Sequence, residues 1–191
     1  MTETEKIKSL VLAPYIIKAT ALIGKQRGVG GNQFRHAMAT MAILLDYKFF
    51  DDHILLKASV IHDLLEDVPE TNVFEIRIIE GQADDVLALV KEVTRPADMP
   101  KELYLKNILE NGSYRAKVLK CADRISNLTD LNTDTHSVKK INEYLDQTEK
   151  WVLPMAQQVN QDMFRELSDL IISRRKYARC ASGLEPYKAS E

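Results

Sequence analysis

Apolar residues recur at three- and four-residue intervals along most of the chain, a spacing typical of helices that bury one face. Between residues 5 and 24 the spacing holds on both sides of Pro14, which predicts two helical pieces. No segment alternates apolar and polar residues as a half-buried strand does, so the predicted fold class is all-α. Together with capping residues, the pattern predicts further helices over residues 34–45, 51–68, 72–81, 83–93, 100–110, 113–128 and 137–178, the last interrupted at Pro154.

The helical pattern stops between residues 25 and 33, where three of the seven glycines stand. Glycine lets the backbone turn at little cost, so this segment is predicted to be a loop. Its sequence, KQRGVGGNQ, matches neither a P-loop nor a dinucleotide-binding fingerprint.

A group of ionisable residues lies in the apolar segment at residues 60–67, which reads VIHDLLED. On a continuous helix His62 would stack against Glu66, and Asp63 against Asp67, because residues four apart share a face. Burying one imidazole with three carboxylates is costly unless the charge is compensated, and a divalent cation compensates it most simply. This segment is therefore predicted to be a metal-binding helix.

The composition is that of a single globular domain. Of 191 residues, 45% are hydrophobic and 28% are charged, and the net charge of −2 provides no field that would attract nucleic acid or an anionic membrane. No segment is long enough to span a membrane. We expect one domain over residues 1–182, a flexible C-terminal tail over 183–191, a cytoplasmic location, and free thiols at Cys121 and Cys180.

Two histidines and two aspartates from three separate predicted helices form a further pattern: His36, then His62-Asp63, then Asp123. Mixed imidazole and carboxylate ligands suit Mn²⁺, with Fe or Zn as alternatives. In this order the four residues resemble the H…HD…D arrangement of the HD metal-dependent phosphohydrolase superfamily. The resemblance implies an HD-domain helical bundle in which these side chains hold one divalent cation, Mn²⁺.

Two longer motifs narrow the resemblance. The chain reads HDLLED at residues 62–67 and ADRISNL at residues 122–128. This pair is similar to the motifs of RelA/SpoT-type hydrolase domains, over about residues 20–160, and the chain resembles a stand-alone small alarmone hydrolase. The resemblance implies hydrolysis of guanosine 3′,5′-bis(diphosphate) at its 3′ position, with release of pyrophosphate.

Individual roles follow from the chemistry and from the resemblance. A metal-bound water needs a nearby carboxylate to orient and deprotonate it, and Glu66 is the first candidate for this base. By resemblance Asp67 assists Glu66, Asn127 holds the ribose or a phosphate, and Arg27 packs on the nucleobase.

The chain departs from the family shortly before the first metal-binding histidine. Asn32-Gln33 stand where the family usually has Pro-Tyr, a difference that concerns nucleobase recognition more than the chemistry. Two alternatives stay open: an HD phosphatase acting on NADPH or a deoxynucleoside monophosphate, and a non-catalytic nucleotide-binding HD module. In every case the expected partner is a small nucleotide rather than nucleic acid or a membrane, and the oligomeric state is left open.

The remaining candidates are single side chains. Arg124 is expected to form an ion pair with Glu66 or Asp63. Tyr144 and Trp151 follow a helical spacing and are expected in the core. Two histidines lie outside the metal pattern, His53 and His136. Four cations could neutralise a polyphosphate: Arg95, Lys101, Lys106 and Lys120.

Overall fold

A computed structural model describes residues 2–131 and 136–181, and these ranges are helical without any strand. A 3₁₀-helix at Thr20–Gly24 and a π-helix at Thr148–Val152 accompany the α-helices. The tail predicted over residues 183–191 lies outside the described residues. The α-helices of the described part are α1 (Glu3–Lys8), α2 (Ala13–Ala19), α3 (Gln33–Asp46), α4 (His53–Val60), α5 (Leu64–Asp67), α6 (Val73–Arg77), α7 (Ala83–Val93), α8 (Lys101–Asn111), α9 (Tyr114–Asp130), α10 (Val138–Gln147), α11 (Leu153–Val159) and α12 (Gln161–Ala181).

Side-chain caps explain where several helices begin. Asn32, Asp52, Ser113 and Ser137 each accept a hydrogen bond from the backbone N–H three residues later, which satisfies a donor that the helix itself leaves unpaired. Residues 72–81 were predicted as one helix, but α6 ends at Arg77.

The predicted continuous helix through residues 51–68 is wrong. Helix α4 ends at Val60, and residues 61–63 form a turn before α5. The His62 ring provides the physical reason, because its Nδ1 lies 2.7 Å from the Ser59 carbonyl oxygen. In an uninterrupted helix that oxygen would accept the N–H of Asp63, so the imidazole competes with the helical hydrogen bond.

The C-terminal part contains more breaks than the single one predicted at Pro154. Pro154 lies in the first turn of α11, directly after the π-helix, which agrees with the missing N–H of proline. A second break occurs at Asn160, whose backbone is extended and whose side chain accepts the N–H groups of Asp162 and Met163. The last segment therefore folds as two further helices, α11 and α12.

Helix α9 is central to the core. It packs against α3 on one side and against α11 and α12 on the other, while α4 packs between α3 and α7. Buried side chains such as Val118, Ala122 and Leu128 fill these contacts. The packing brings the first turn of α3 against the middle of α9, where the candidate ligands stand. Within the described ranges, no helix is both long and apolar enough to cross a membrane.

One buried cation lies outside the candidate site. Lys57 of α4 is 1% exposed, forms an ion pair with Glu80, and donates to Gln82 Oε1 at 2.9 Å. Tyr15 also donates to Glu80, at 3.1 Å. These contacts satisfy a charge that would otherwise be costly in the core, and they connect α2 and α4 to the segment before α7.

Replacing Glu80 by alanine should lower the free energy of unfolding by about 3 kcal/mol, because it leaves a buried ammonium without its carboxylate. Urea denaturation measures the loss. Glu75→Ala is the matched control, since Glu75 pairs with the more exposed Lys18 and should change stability little. Equal losses in the two variants would contradict the assignment.

Candidate metal centre and its cleft

The four sequence-predicted ligands converge from three places in the chain. His36 lies in the first turns of α3, Asp123 lies in the middle of α9, and His62 and Asp63 occupy the turn between α4 and α5. His36, His62 and Asp123 are all buried, and each offers a ligand atom within 4.8 Å of the others. Asp63 Oδ2 completes the group, 3.6 Å from His36 Nε2 and 3.3 Å from His62 Nε2.

Hydrogen bonds on the far side of each ring set the orientation of the two imidazoles. His62 donates through Nδ1 to the Ser59 carbonyl at 2.7 Å, and His36 Nδ1 lies 2.9 Å from Ser126 Oγ. Both Nε2 atoms therefore face the carboxylates. His62 Nε2 is buried without a hydrogen-bond partner, and such an atom is costly unless something binds it.

The charges of the cluster shift one another strongly. Burial alone would lower the pKa of His62, but Asp63 and Asp123 outweigh it and raise that pKa to about 9. Burial would raise the pKa of Asp63, yet His62 and then His36 hold it below its ordinary value. For Asp123 the ammonium of Lys120, 2.7 Å away, contributes most to holding the pKa well below the usual range against burial.

This donor set fits a divalent cation. Two imidazole nitrogens fixed through their other ring nitrogen, together with two carboxylates, form the arrangement that transition metals bind in proteins. The unpartnered Nε2 of His62 supports this fit independently of sequence resemblance. A metal would offset the negative charge of the two carboxylates.

Asn127 and Arg27, predicted to bind substrate, are connected to the ligand Asp123. Asn127 Nδ2 donates to Asp123 Oδ1 at 2.5 Å, and its Oδ1 accepts from Arg27 Nη2 at 2.9 Å. Arg27 Nη1 in turn lies 2.6 Å from Asp130 Oδ2. The loop at residues 25–33 is thus attached to α9 through a chain of hydrogen bonds that ends on Asp123.

Glu66 and Asp67 lie on α5 and face the same cleft, although α5 does not continue α4. Glu66 is contacted by Arg95, through the backbone N–H at 3.3 Å and the guanidinium at 3.6 Å. Asp67 Oδ2 accepts a hydrogen bond from Gln33 Nε2 at 2.8 Å. Burial first, and then Asp63, raise the pKa of Asp67, while the Gln33 contact opposes the shift.

A cleft of about 590 Å³ lies over the cluster, and it includes residues that the sequence reasoning placed elsewhere. Tyr144 and Trp151 both pack against the core as expected, but Tyr144 also lines the cleft, as does His136. The expected ion pair of Arg124 with Glu66 or Asp63 is wrong: Arg124 is 1% exposed and donates to Thr148 Oγ1 at 2.7 Å. Of the four candidate cations, Arg95, Lys101 and Lys120 line the cleft and Lys106 does not.

Several of the cleft residues that the sequence did not indicate share one helix. Lys140, Glu143, Tyr144 and Gln147 are spaced three and four apart on α10, and together they form one wall of the cleft. Their polar character on a single face was the available signal. This signal could not be used without knowing that the polar face of α10 lies beside the candidate ligands and not in bulk solvent.

Comparisons with known proteins agree with this geometry. The mouse guanosine-3′,5′-bis(diphosphate) 3′-pyrophosphohydrolase MESH1 is 29% identical over 151 residues, which is 76% of this chain and 82% of that protein. The human MESH1 is 30% identical over 123 residues, covering 61% of this chain and 67% of the human protein. The chain belongs to the MESH1 family. No protein-family model matches it.

A solved structure confirms the fold. It belongs to a metazoan ortholog of SpoT described as hydrolysing ppGpp, and it covers 85% of this chain and 93% of its own at a TM-score of 0.68 and 22% identity. The prediction of an all-α HD-domain bundle is therefore correct.

Replacing His62 by alanine should abolish stoichiometric metal binding, because it removes a buried imidazole nitrogen that faces both carboxylates and makes no hydrogen bond. Metal content after purification and dialysis, measured by plasma mass spectrometry, checks this. His53→Ala is the control: its ring contacts the Lys6 carbonyl at 2.8 Å, away from the cluster, and this variant should retain the metal. Retention in His62→Ala would contradict the site.

Proposed function

We propose that the protein hydrolyses guanosine 3′,5′-bis(diphosphate) at the 3′ position, producing pyrophosphate and guanosine 5′-diphosphate. The observation that carries the proposal is the buried imidazole nitrogen of His62, which lies 3.3 Å from Asp63 and 4.0 Å from Asp123, two carboxylates that line the cleft. Relatives with 29% and 30% identity are named as this hydrolase, which supports the choice of substrate.

The proposed metal ligands are His36, His62, Asp63 and Asp123, and the proposed cation is Mn²⁺, with Fe or Zn as alternatives. When bound, the cation would acidify a water molecule and neutralise charge on phosphoryl oxygens. The burial of three of these four side chains supports a dry, fixed ligand set.

Glu66 is the proposed general base, and Asp67 is proposed to assist it. Glu66 is partly exposed at the edge of the ligand cluster, so its carboxylate can take a proton from an attacking water and pass it to solvent. The oxygen of that water forms a bond to the 3′-phosphorus, the bond from phosphorus to the ribose 3′-oxygen breaks, and the 3′-oxygen takes a proton from solvent. Asp67, fixed by Gln33, would orient the water from the other side.

Arg27 and Asn127 are proposed to act at the nucleoside end. The guanidinium edge of Arg27 is already bound by Asp130 and Asn127, which leaves its planar face for stacking on a purine. Both ends of the Asn127 amide have partners within the protein. We therefore propose that Asn127 acts on the substrate by orienting Asp123 and Arg27.

The direct test is to incubate the purified protein with Mn²⁺ and guanosine 3′,5′-bis(diphosphate) and to identify the products by anion-exchange chromatography. Pyrophosphate and guanosine 5′-diphosphate should appear in equal amounts, and Glu66→Ala should lower kcat at least 100-fold, the usual order of a lost general base. Release of monophosphate instead, or full activity of Glu66→Ala, would contradict the proposal.

Gln33→Leu should lower kcat about tenfold while KM changes little, because it removes the charge-assisted hydrogen bond that fixes Asp67. In an Asp67→Asn background the same substitution should lower kcat almost no further, because the carboxylate that Gln33 fixes is already absent. Gln161→Leu is the control, because Gln161 is likewise the first residue of a helix but lies away from the cleft. Additive losses in the double variant would show that Gln33 does not act through Asp67.

A further inference from the structure

Three cations stand together beside the metal ligands: Lys101 on α8, and Lys120 and Arg124 on α9. Lys120 is compensated by Asp123, 2.7 Å away. Within the described residues, neither Lys101 nor Arg124 forms an ion pair with a carboxylate. This part of the cleft therefore carries positive charge without an anionic partner from the protein.

Arg124 is the clearest case of a cation here that has no carboxylate partner. The side chain is 1% exposed, and its Nη1 contacts only neutral oxygens, Thr148 Oγ1 at 2.7 Å and the Tyr144 carbonyl at 3.4 Å. Its Nε has no partner. A buried guanidinium without a carboxylate is costly, and the cost falls when an anion binds within reach of it.

The ring of Tyr144 connects Arg124 to Lys101. The guanidinium carbon of Arg124 lies 4.1 Å from the ring centroid, and Lys101 Nζ lies 4.7 Å from it. Burial first, and then the charges of Arg124 and Lys120, lower the pKa of Lys101 to about 8. The aromatic contacts offset only part of this repulsion, because a cation over a ring is a weaker partner than an anion.

We propose that Lys101 and Arg124, joined by Tyr144, form a phosphate subsite that binds a substrate phosphate not held by the metal. This inference rests on the proposed function and names the group that recognises the rest of the polyphosphate. Two parts of the substrate could occupy this subsite: the outer phosphate of the 3′-diphosphate, or the 5′-diphosphate.

Lys101 is the residue to test, because it is at the surface of the cleft and its removal leaves the core intact. Lys106 is the matched control: it lies on the same helix, pairs with Glu110 at 3.7 Å, and does not line the cleft. KM and kcat are measured for the wild type, Lys101→Ala and Lys106→Ala with guanosine 3′,5′-bis(diphosphate), and with a guanosine that carries only the 3′-diphosphate.

Lys101→Ala should raise KM about tenfold for guanosine 3′,5′-bis(diphosphate), the usual effect of losing one charge-assisted contact, and Lys106→Ala should leave KM unchanged. If the increase disappears for the substrate without 5′ phosphates, the subsite binds the 5′-diphosphate. If it persists, the subsite binds the outer phosphate of the 3′-diphosphate. An unchanged KM in Lys101→Ala, or an equal change in Lys106→Ala, would overturn the proposal.

A binding measurement separates this inference from the proposed reaction. Calorimetric titration of the metal-loaded protein with inorganic pyrophosphate needs no turnover, and Lys101→Ala should weaken that binding about tenfold relative to Lys106→Ala. If the wild type hydrolyses neither nucleotide but shows this difference, the proposed reaction fails and the subsite stands. Equal pyrophosphate affinity in both variants refutes the subsite even if the enzyme is active.

Discussion

The arrangement of this protein depends on one electrostatic constraint: two imidazoles and two carboxylates meet in the interior, where only another charge can balance them. The ammonium of Lys120, 2.7 Å from Asp123, supplies part of that balance. A divalent cation would supply it more completely, because all four ligand groups could then bind one centre. The helices around the cluster hold these four side chains next to one another.

Hydrogen bonds from the surrounding residues fix the orientation of the candidate ligands. The break after α4 turns His62 back onto the Ser59 carbonyl, and Ser126 of α9 holds the ring of His36. Asn127 then connects Asp123 to Arg27 in the glycine-rich loop. The loop that would contact the nucleoside is thus coupled to a metal ligand by two hydrogen bonds. Such preorganisation lowers the cost of orienting a reactive complex.

The sequence predicted most helices, and it also identified the residues that meet in the candidate site, because both signals are local. A capping residue such as Ser113 marks a helix start within its own turn, and the spacing of His62 and Asp63 is a matter of chain neighbours. It failed at residues 61–63, because the His62 ring binds the Ser59 carbonyl, and the periodic pattern assumes that this carbonyl accepts a backbone N–H of the helix. It failed also for Arg124, because the partners of that side chain, Thr148 of the π-helix and the Tyr144 ring of α10, lie far along the chain.

The measurement that tests the account most directly is the position of the metal in crystals grown with MnCl₂, located by anomalous scattering at the manganese edge. We expect one peak bonded to Nε2 of His36, Nε2 of His62, and carboxylate oxygens of Asp63 and Asp123. A peak elsewhere in the molecule, or a metal at this place from which His62 Nε2 is turned away, would contradict it.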